Sequence, residues 1–260
     1  MKRTLITPQI AEFPNEFRSL VSSADVYDSS CSPEARVWFI DKDSGYYLKT
    51  SQKGSLSKEV ELTAYFCKKG LGAHVLEYIS NDKDWLLTSR VMGEDCTYSQ
   101  YLDDPKRLCD TIAERLRILH ETDPSDCPVD RTVEYFAGAE HNYKAGMFDP
   151  SYAYKGDSFK TPSDAWEVIE KGKHLLRSDT LIHGDYCLPN IMLDNWDFSG
   201  FIDLGNGGRG DRHIDIFWGA WTLEFNLKTD EYRERFFDAY GRERIDIDAL
   251  RVVGAAETFG

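Results

Sequence analysis

No stretch of the 260-residue sequence is apolar enough for long enough to span a bilayer. Its basic start, Met1-Lys2-Arg3, is followed by no apolar run of signal-peptide length, so a cytoplasmic chain without a membrane partner is expected. The six cysteines (Cys31, Cys67, Cys96, Cys109, Cys127 and Cys187) form no C-x-x-C pair, which argues against a zinc ribbon and a disulfide framework and predicts free thiols. None of the six histidines stands in an H-E-x-x-H pairing, so a zinc hydrolase is not supported. There is no internal repeat, no low-complexity segment and no basic stripe interleaved with aromatics. Bases are in short supply: 31 Lys plus Arg face 45 Asp plus Glu, for a net charge of −14. That balance disfavours nucleic acid, which is bound chiefly through Lys and Arg on phosphates, and favours cationic partners. Residues 1–90 hold 12 acids and 12 bases, so the whole excess of acid falls on residues 91–260.

What is present is an ordinary globular composition, 41% hydrophobic, with chain enough to bury a core unaided. Two β-prone runs, 36–40 and 46–50, flank Asp41-Lys42-Asp43-Ser44-Gly45 and predict a hairpin. Residues 58–69 place Leu62, Tyr65 and Phe66 at helical spacing and end at Gly70. Strand-like runs follow at 74–79 and 85–91. The texture then changes: Leu108, Ile112, Leu116 and Leu119 form one face of a helix within 107–120, and 164–176 and 215–227 also read as helical. Residues 123–162 carry only weak periodicity. The expectation is an α+β chain with a β-rich first lobe, 1–91, and a mainly helical second lobe, 92–260.

The chemistry concentrates between Leu181 and Gly210. His183-Gly184-Asp185 is followed by Asn190, five residues after the Asp, and by Asp203-Leu204-Gly205, thirteen after the Asn. Phosphoryl transfer from ATP needs an oxygen that positions or deprotonates the attacking hydroxyl, and oxygen ligands for Mg²⁺ at the phosphates. Asp185, Asn190 and Asp203 supply those atoms, in the order and spacing of a kinase catalytic loop and hairpin. Upstream, Lys49 on the second hairpin strand and Glu59 on the next helix match the kinase ion pair that grips the α and β phosphates, with Glu61 as an alternative partner. His183 is read as a brace of the loop. Gly205 to Gly210 formally satisfies G-x-G-x-x-G, but the acid at the required distance, Glu224, lies in a helical pattern and too little chain remains for a βαβ unit, so the glycines are read as a permissive turn. Trp218 and Trp221, three apart on a helix, are read as core.

The same passage resembles the aminoglycoside phosphotransferases, most closely the 3′-phosphotransferases. The likeness extends through Cys187-Leu188-Pro189-Asn190-Ile191, Ser199-Gly200-Phe201-Ile202-Asp203, Gly205, Asp211-Arg212 and Asp215-Ile216, and to Leu119-His120, Asp126-Cys127-Pro128 and the Ser32-Pro33 turn. The resemblance implies a two-lobed protein-kinase-like fold, ATP with Mg²⁺, and transfer of the γ-phosphate to a hydroxyl, the 3′ one, of a polycationic antibiotic, with resistance as the outcome and a monomer or homodimer as the state. It implies Asp185 as catalytic base, Asn190 and Asp203 as metal ligands, Lys49 and Glu59 as the phosphate pair, and Ser32 as a loop contact to phosphate. The backbone at Arg90 and Val91 would hold the adenine, and Glu257 and Glu224 would face the substrate. The sequence departs from that pattern on the substrate side. Its end, Ala255-Ala256-Glu257-Thr258-Phe259-Gly260, keeps one acid where the family has a pair, and Asn206 and Trp221 stand where it has arginines. A kinase of the same fold acting on a macrolide, choline, homoserine or a sugar is the alternative, and a nucleotide-binding regulator without catalysis is a third.

Overall fold

The computed structural model describes residues 3–260, and the chain divides into two compact units. The first runs to Tyr98 and includes Met192–Gly205; the second comprises Ser99–Ile191 and Asn206–Gly260. The inclusion of Met192–Gly205 in the first unit is a grouping that a division at residue 91 does not contain.

The first unit is built on a six-stranded antiparallel sheet in the order β1-β2-β3-β4-β6-β5, with β1 Thr4–Ile6, β2 Asp25–Asp28, β3 Arg36–Asp41, β4 Tyr46–Gln52, β5 Val75–Ser80 and β6 Lys83–Ser89. The expected hairpin is β3 and β4, in the register Ile40↔Tyr46. Its turn needs positive φ at Asp43 and Gly45 (+53° and +92°), which the glycine adopts without a Cβ penalty. Helix α1, Asn15–Ser22, buries Phe17 and Val21. These join Phe13, Trp38, Leu48 and Trp85 in one apolar cluster, where the two indoles stack 5.9 Å apart. Side chains alternate along β4, so burying Leu48 in that cluster sends Lys49 to the opposite face. Helix α2, Ser57–Lys68, follows, and the chain leading into it is held by the Asp84 carboxylate, which accepts the Leu56 N–H at 2.9 Å.

The returning segment joins this unit through a small sheet, β10-β9-β7, formed by β7 Glu94–Asp95, β9 Ile191–Asp194 and β10 Asp197–Phe201. The pairings Glu94↔Leu193 and Asp95↔Met192, and a bridge between Gly72 and Phe201, are why 192–205 packs with the early chain.

The second unit is helical: α3 Ser99–Leu102, α4 Pro105–Glu121, α5 Thr132–Lys144, α6 Pro162–Gly172, α7 Arg212–Leu227, α8 Tyr232–Tyr240 and α9 Ile247–Glu257. Asp104 caps α4 ahead of a proline, and the anticipated face of Leu108, Ile112, Leu116 and Leu119 is fully buried. Helix α5 lies inside the stretch of weak periodicity. Its inward side is Tyr135, Phe136, Ala139 and Tyr143, a mixture of rings and one small residue that gives little apolar pattern. A two-stranded ladder, β8 Thr180–Ile182 with β11 Gly208–Gly210, leads directly into residues 183–185.

Candidate functional site

In the first unit, Lys49 Nζ lies 3.0 and 2.8 Å from the two carboxylate oxygens of Glu59 and 2.9 Å from Asp203 Oδ1. Helical phase selects Glu59 over Glu61, which points to solvent. Burial pulls the Lys49 pKa down, but Asp203 and Glu59 outweigh it and hold the ammonium above its usual range. Burial also pushes Glu59 up, against the opposing pull of Lys49. Asp203 adopts φ +58°, a left-handed turn that ends the β10 run. Val91 packs with Ala73, Met192 and Ile202 in a small apolar cluster. The Arg90 N–H is taken by the Gly45 carbonyl at 3.1 Å, so that donor serves the hairpin. Ser32 sits in the exposed loop between β2 and β3, whose ends are tied by Val37 N–H to Ser30 Oγ at 3.0 Å; among the described residues it shares no hydrogen bond with the Lys49 group.

In the second unit, β8 delivers His183-Gly184-Asp185 onto the first turn of α7. The Asp215 carboxylate, fully buried, accepts the N–H of His183 and of Gly184, each at 2.7 Å, and the Nε2 of His120 at 3.1 Å. Burial drives the His120 pKa down, so the neutral ring donates from Nε2 and accepts the Tyr240 hydroxyl at Nδ1, 2.8 Å away. Gly184 is obligatory: at φ +80°, a Cβ would fall 1.8 Å from the Asn206 carbonyl oxygen. His183 is buried and its Nδ1 accepts the Asp185 N–H at 3.3 Å, the bracing role expected of it.

Asn190 decides the orientation of the loop's polar groups. Its carboxamide nitrogen donates to the Asp185 carbonyl at 3.0 Å and to Asp185 Oδ2 at 2.9 Å. Both acceptors demand the nitrogen on that side, which fixes the amide and turns its oxygen away. That oxygen is a hard donor of the type Mg²⁺ takes, as is the Asp203 carboxylate in the first unit. No cluster of three or more His, Cys, Asp or Glu that could hold a metal occurs among the described residues.

Glu257, near the end of α9, is buried at 8% exposure. Its Oε1 accepts the Tyr135 hydroxyl at 2.8 Å and the Trp218 indole N–H at 3.2 Å. Burial pushes its pKa up to about 7, opposed by those two donors and reinforced by Asp185. The folded state therefore keeps a proton that the unfolded state loses between the ordinary pKa of 4.5 and about 7, and stability falls as pH rises through that window. Between pH 5 and pH 8 the wild type should lose about 2 to 3 kcal/mol more than Glu257→Gln. Urea titrations of both proteins at the two pH values check this, and equal losses would remove the buried-acid assignment.

Glu224 does not join that group. It lies on the exposed side of α7, where Arg233 Nη2 pairs with it at 3.0 Å, and it lines a cavity of about 780 Å³. The two tryptophans also differ from expectation. Both are only half-buried: Trp218 holds Glu257, and Trp221 lines the cavity. Asp215, Tyr135 and Trp218 are the contributors to which spacing arguments assign no role, although Asp215 belongs to a motif already noted.

The phosphotransferase enzyme family matches residues 32–253. The chain is 52% identical over 253 residues to the probable aminoglycoside 3′-phosphotransferase of Lactococcus lactis subsp. lactis (strain IL1403), covering 96% of each. It is 30% identical over 237 residues to the aminoglycoside 3′-phosphotransferase of Streptomyces fradiae, covering 88% of each. Among solved structures, aminoglycoside phosphotransferase APH(3'')-Id from Streptomyces rimosus, in complex with ADP and streptomycin, superposes with a TM-score of 0.72 at 25% identity, over 86% of this chain and 90% of that one.

Proposed function

Since the chain belongs to the phosphotransferase enzyme family, we propose that it moves the γ-phosphate of ATP to a hydroxyl of an aminoglycoside, the 3′ one, and so confers resistance. The acceptor class follows the near-full-length relative from Lactococcus lactis; the observation that carries the chemistry is the Asp185 carboxylate held by Asn190 on a loop braced from below by Asp215.

Asp185 orients the acceptor hydroxyl and accepts its proton as the oxygen attacks the γ-phosphorus, with ADP as leaving group. Lys49, held by Glu59, binds the α and β phosphates. Asn190 and Asp203 would hold Mg²⁺, which would supply positive charge to offset that of the phosphates. Once its proton is lost, Glu257 receives a substrate ammonium through Oε2, the oxygen that Tyr135 and Trp218 leave uncommitted. Residues 1–91 serve the nucleotide and 92–260 the acceptor, with Asp203 the group of the later stretch that packs against Lys49. Val91 and its apolar neighbours serve the adenine, while the loop at Ser32 serves phosphate.

ADP release measured over aminoglycosides with and without the 3′-hydroxyl, and over a macrolide, choline, homoserine and a sugar, tests the reading. Turnover confined to aminoglycosides that carry the hydroxyl is expected. Indifference to it would remove the regiochemistry, and turnover with another class alone would move the enzyme to the same-fold alternative.

A further inference from the structure

The cavity beside α7 has a composition at odds with the charge of the chain. Its walls include Tyr154, Phe217, Trp221, Phe225 and Phe237, and its ionisable groups are two acids and three bases. Both acids are already neutralised by bases of the same cavity: Arg233 pairs with Glu224 and Lys155 with Asp230. Lys228 has no carboxylate partner among the described residues, and its ammonium lies 4.2 Å from the Phe225 ring centre. In a chain of net charge −14, this is a local excess of positive charge lined with rings.

The rings are arranged as a continuous wall. Trp218, whose indole N–H holds Glu257, meets Trp221 edge to face at 5.3 Å. Trp221 in turn stacks on Phe225 at 4.8 Å and 11°. Tyr152 contacts both tryptophans, at 5.9 and 5.8 Å. The wall thus starts at the Glu257 carboxylate and ends at Phe225, which is 54% exposed. A ring left this open at the mouth of a cavity of about 780 Å³ is the size and chemistry of a small-molecule subsite.

We propose that this cavity is the distal arm of the acceptor site and that it receives an uncharged ring by stacking on the face of Phe225 opposite Trp221, where it takes the place of the exposed Lys228 ammonium, so that the acceptor places one ammonium at Glu257 and none at its far end. The inference rests on the phosphotransfer reading and narrows its substrate. Ring faces of sugars and cyclitols carry C–H bonds that pack on aromatic rings, and their hydroxyls pair with charged side chains without a charge of their own. An ammonium in the same place meets Lys228 and finds both carboxylates occupied. A polycation is therefore received at one end and rejected at the other, a discrimination built from an unmatched charge rather than from shape.

Steady-state ADP release with two aminoglycosides that share the reacting hydroxyl, and differ by an ammonium in place of a hydroxyl on the remote ring, tests this. The wild type should favour the hydroxyl compound by about tenfold in kcat/KM. Phe225→Ala, at an exposed position, should raise the KM for that compound about fivefold with little change in kcat. Lys228→Glu should shift the preference toward the added ammonium. A wild type that favours the extra ammonium, or a KM indifferent to Phe225, overturns the proposal. Tryptophan fluorescence in the same titrations reads binding without turnover. Binding that depends on Phe225 with no ADP released removes the phosphotransfer reading and leaves the cavity assignment standing; ADP release without that dependence does the reverse.

Discussion

Asp185→Ala should lower turnover by about 10³-fold while the KM for ATP stays within twofold of wild type, because the role proposed for the carboxylate is on the acceptor and not on the nucleotide. The loop survives the change: its shape is set by the His183 and Gly184 amides on Asp215 and by the left-handed Gly184, none of which involves the Asp185 side chain. Asp185→Asn separates geometry from charge. Its carboxamide oxygen still accepts from Asn190, so the loop stays in place, yet it takes no proton and attracts no hydroxyl hydrogen as strongly. It should be almost as slow as the alanine variant. Single-turnover phosphorylation at saturating ATP, with melting curves for both proteins, makes the comparison. A folded Asp185→Asn enzyme within tenfold of wild type would sink the role given to this residue.

Asp215→Ala should cost about 4 kcal/mol of stability, a fall in melting temperature of roughly 10 °C. Three donors lose their acceptor together: the amides of His183 and Gly184 and the ring N–H of His120. Each is buried or nearly so, and water has no ready path to replace the carboxylate. Asp215→Asn recovers part of the loss, since its oxygen accepts one amide while its nitrogen faces the other as a second donor. Denaturant unfolding of the two variants orders them as wild type above Asn above Ala. An alanine variant within 1 kcal/mol of wild type would show that the loop is braced by something other than this carboxylate.

Local signals are enough for the hairpin of β3 and β4, because alternation and a Gly-containing turn sit within fifteen residues. They also suffice for α4, whose four leucine and isoleucine positions share one face. The Lys49–Glu59 pair is readable for the same reason: strand alternation aims Lys49 and helical phase aims Glu59. Long-range partners are not readable. Tyr135 reaches Glu257 across 122 positions, and Trp218 across 39. A tyrosine and a tryptophan on helices read as core rings, and only the fold reveals that their polar tips converge on one carboxylate. Helix α5 escapes because aromatic rings and one alanine form its buried side, and α1 because it is short and its apolar face narrow. Helical spacing from Trp218 makes Trp221 look like core, whereas it lines a cavity.

The brace beneath the 183–185 loop has a thermal consequence. His120 belongs to α4, Asp215 to α7 and Tyr240 to α8, and one unbroken chain of hydrogen bonds joins these three helices to the loop amides. The loop cannot open without breaking contacts that the helices also need, so it has little freedom to breathe on its own. Partial, low-temperature loss of the loop is thereby disfavoured: the amide protons of His183 and Gly184 should exchange only when the helical unit as a whole comes apart, and warming should abolish activity and helicity in a single step.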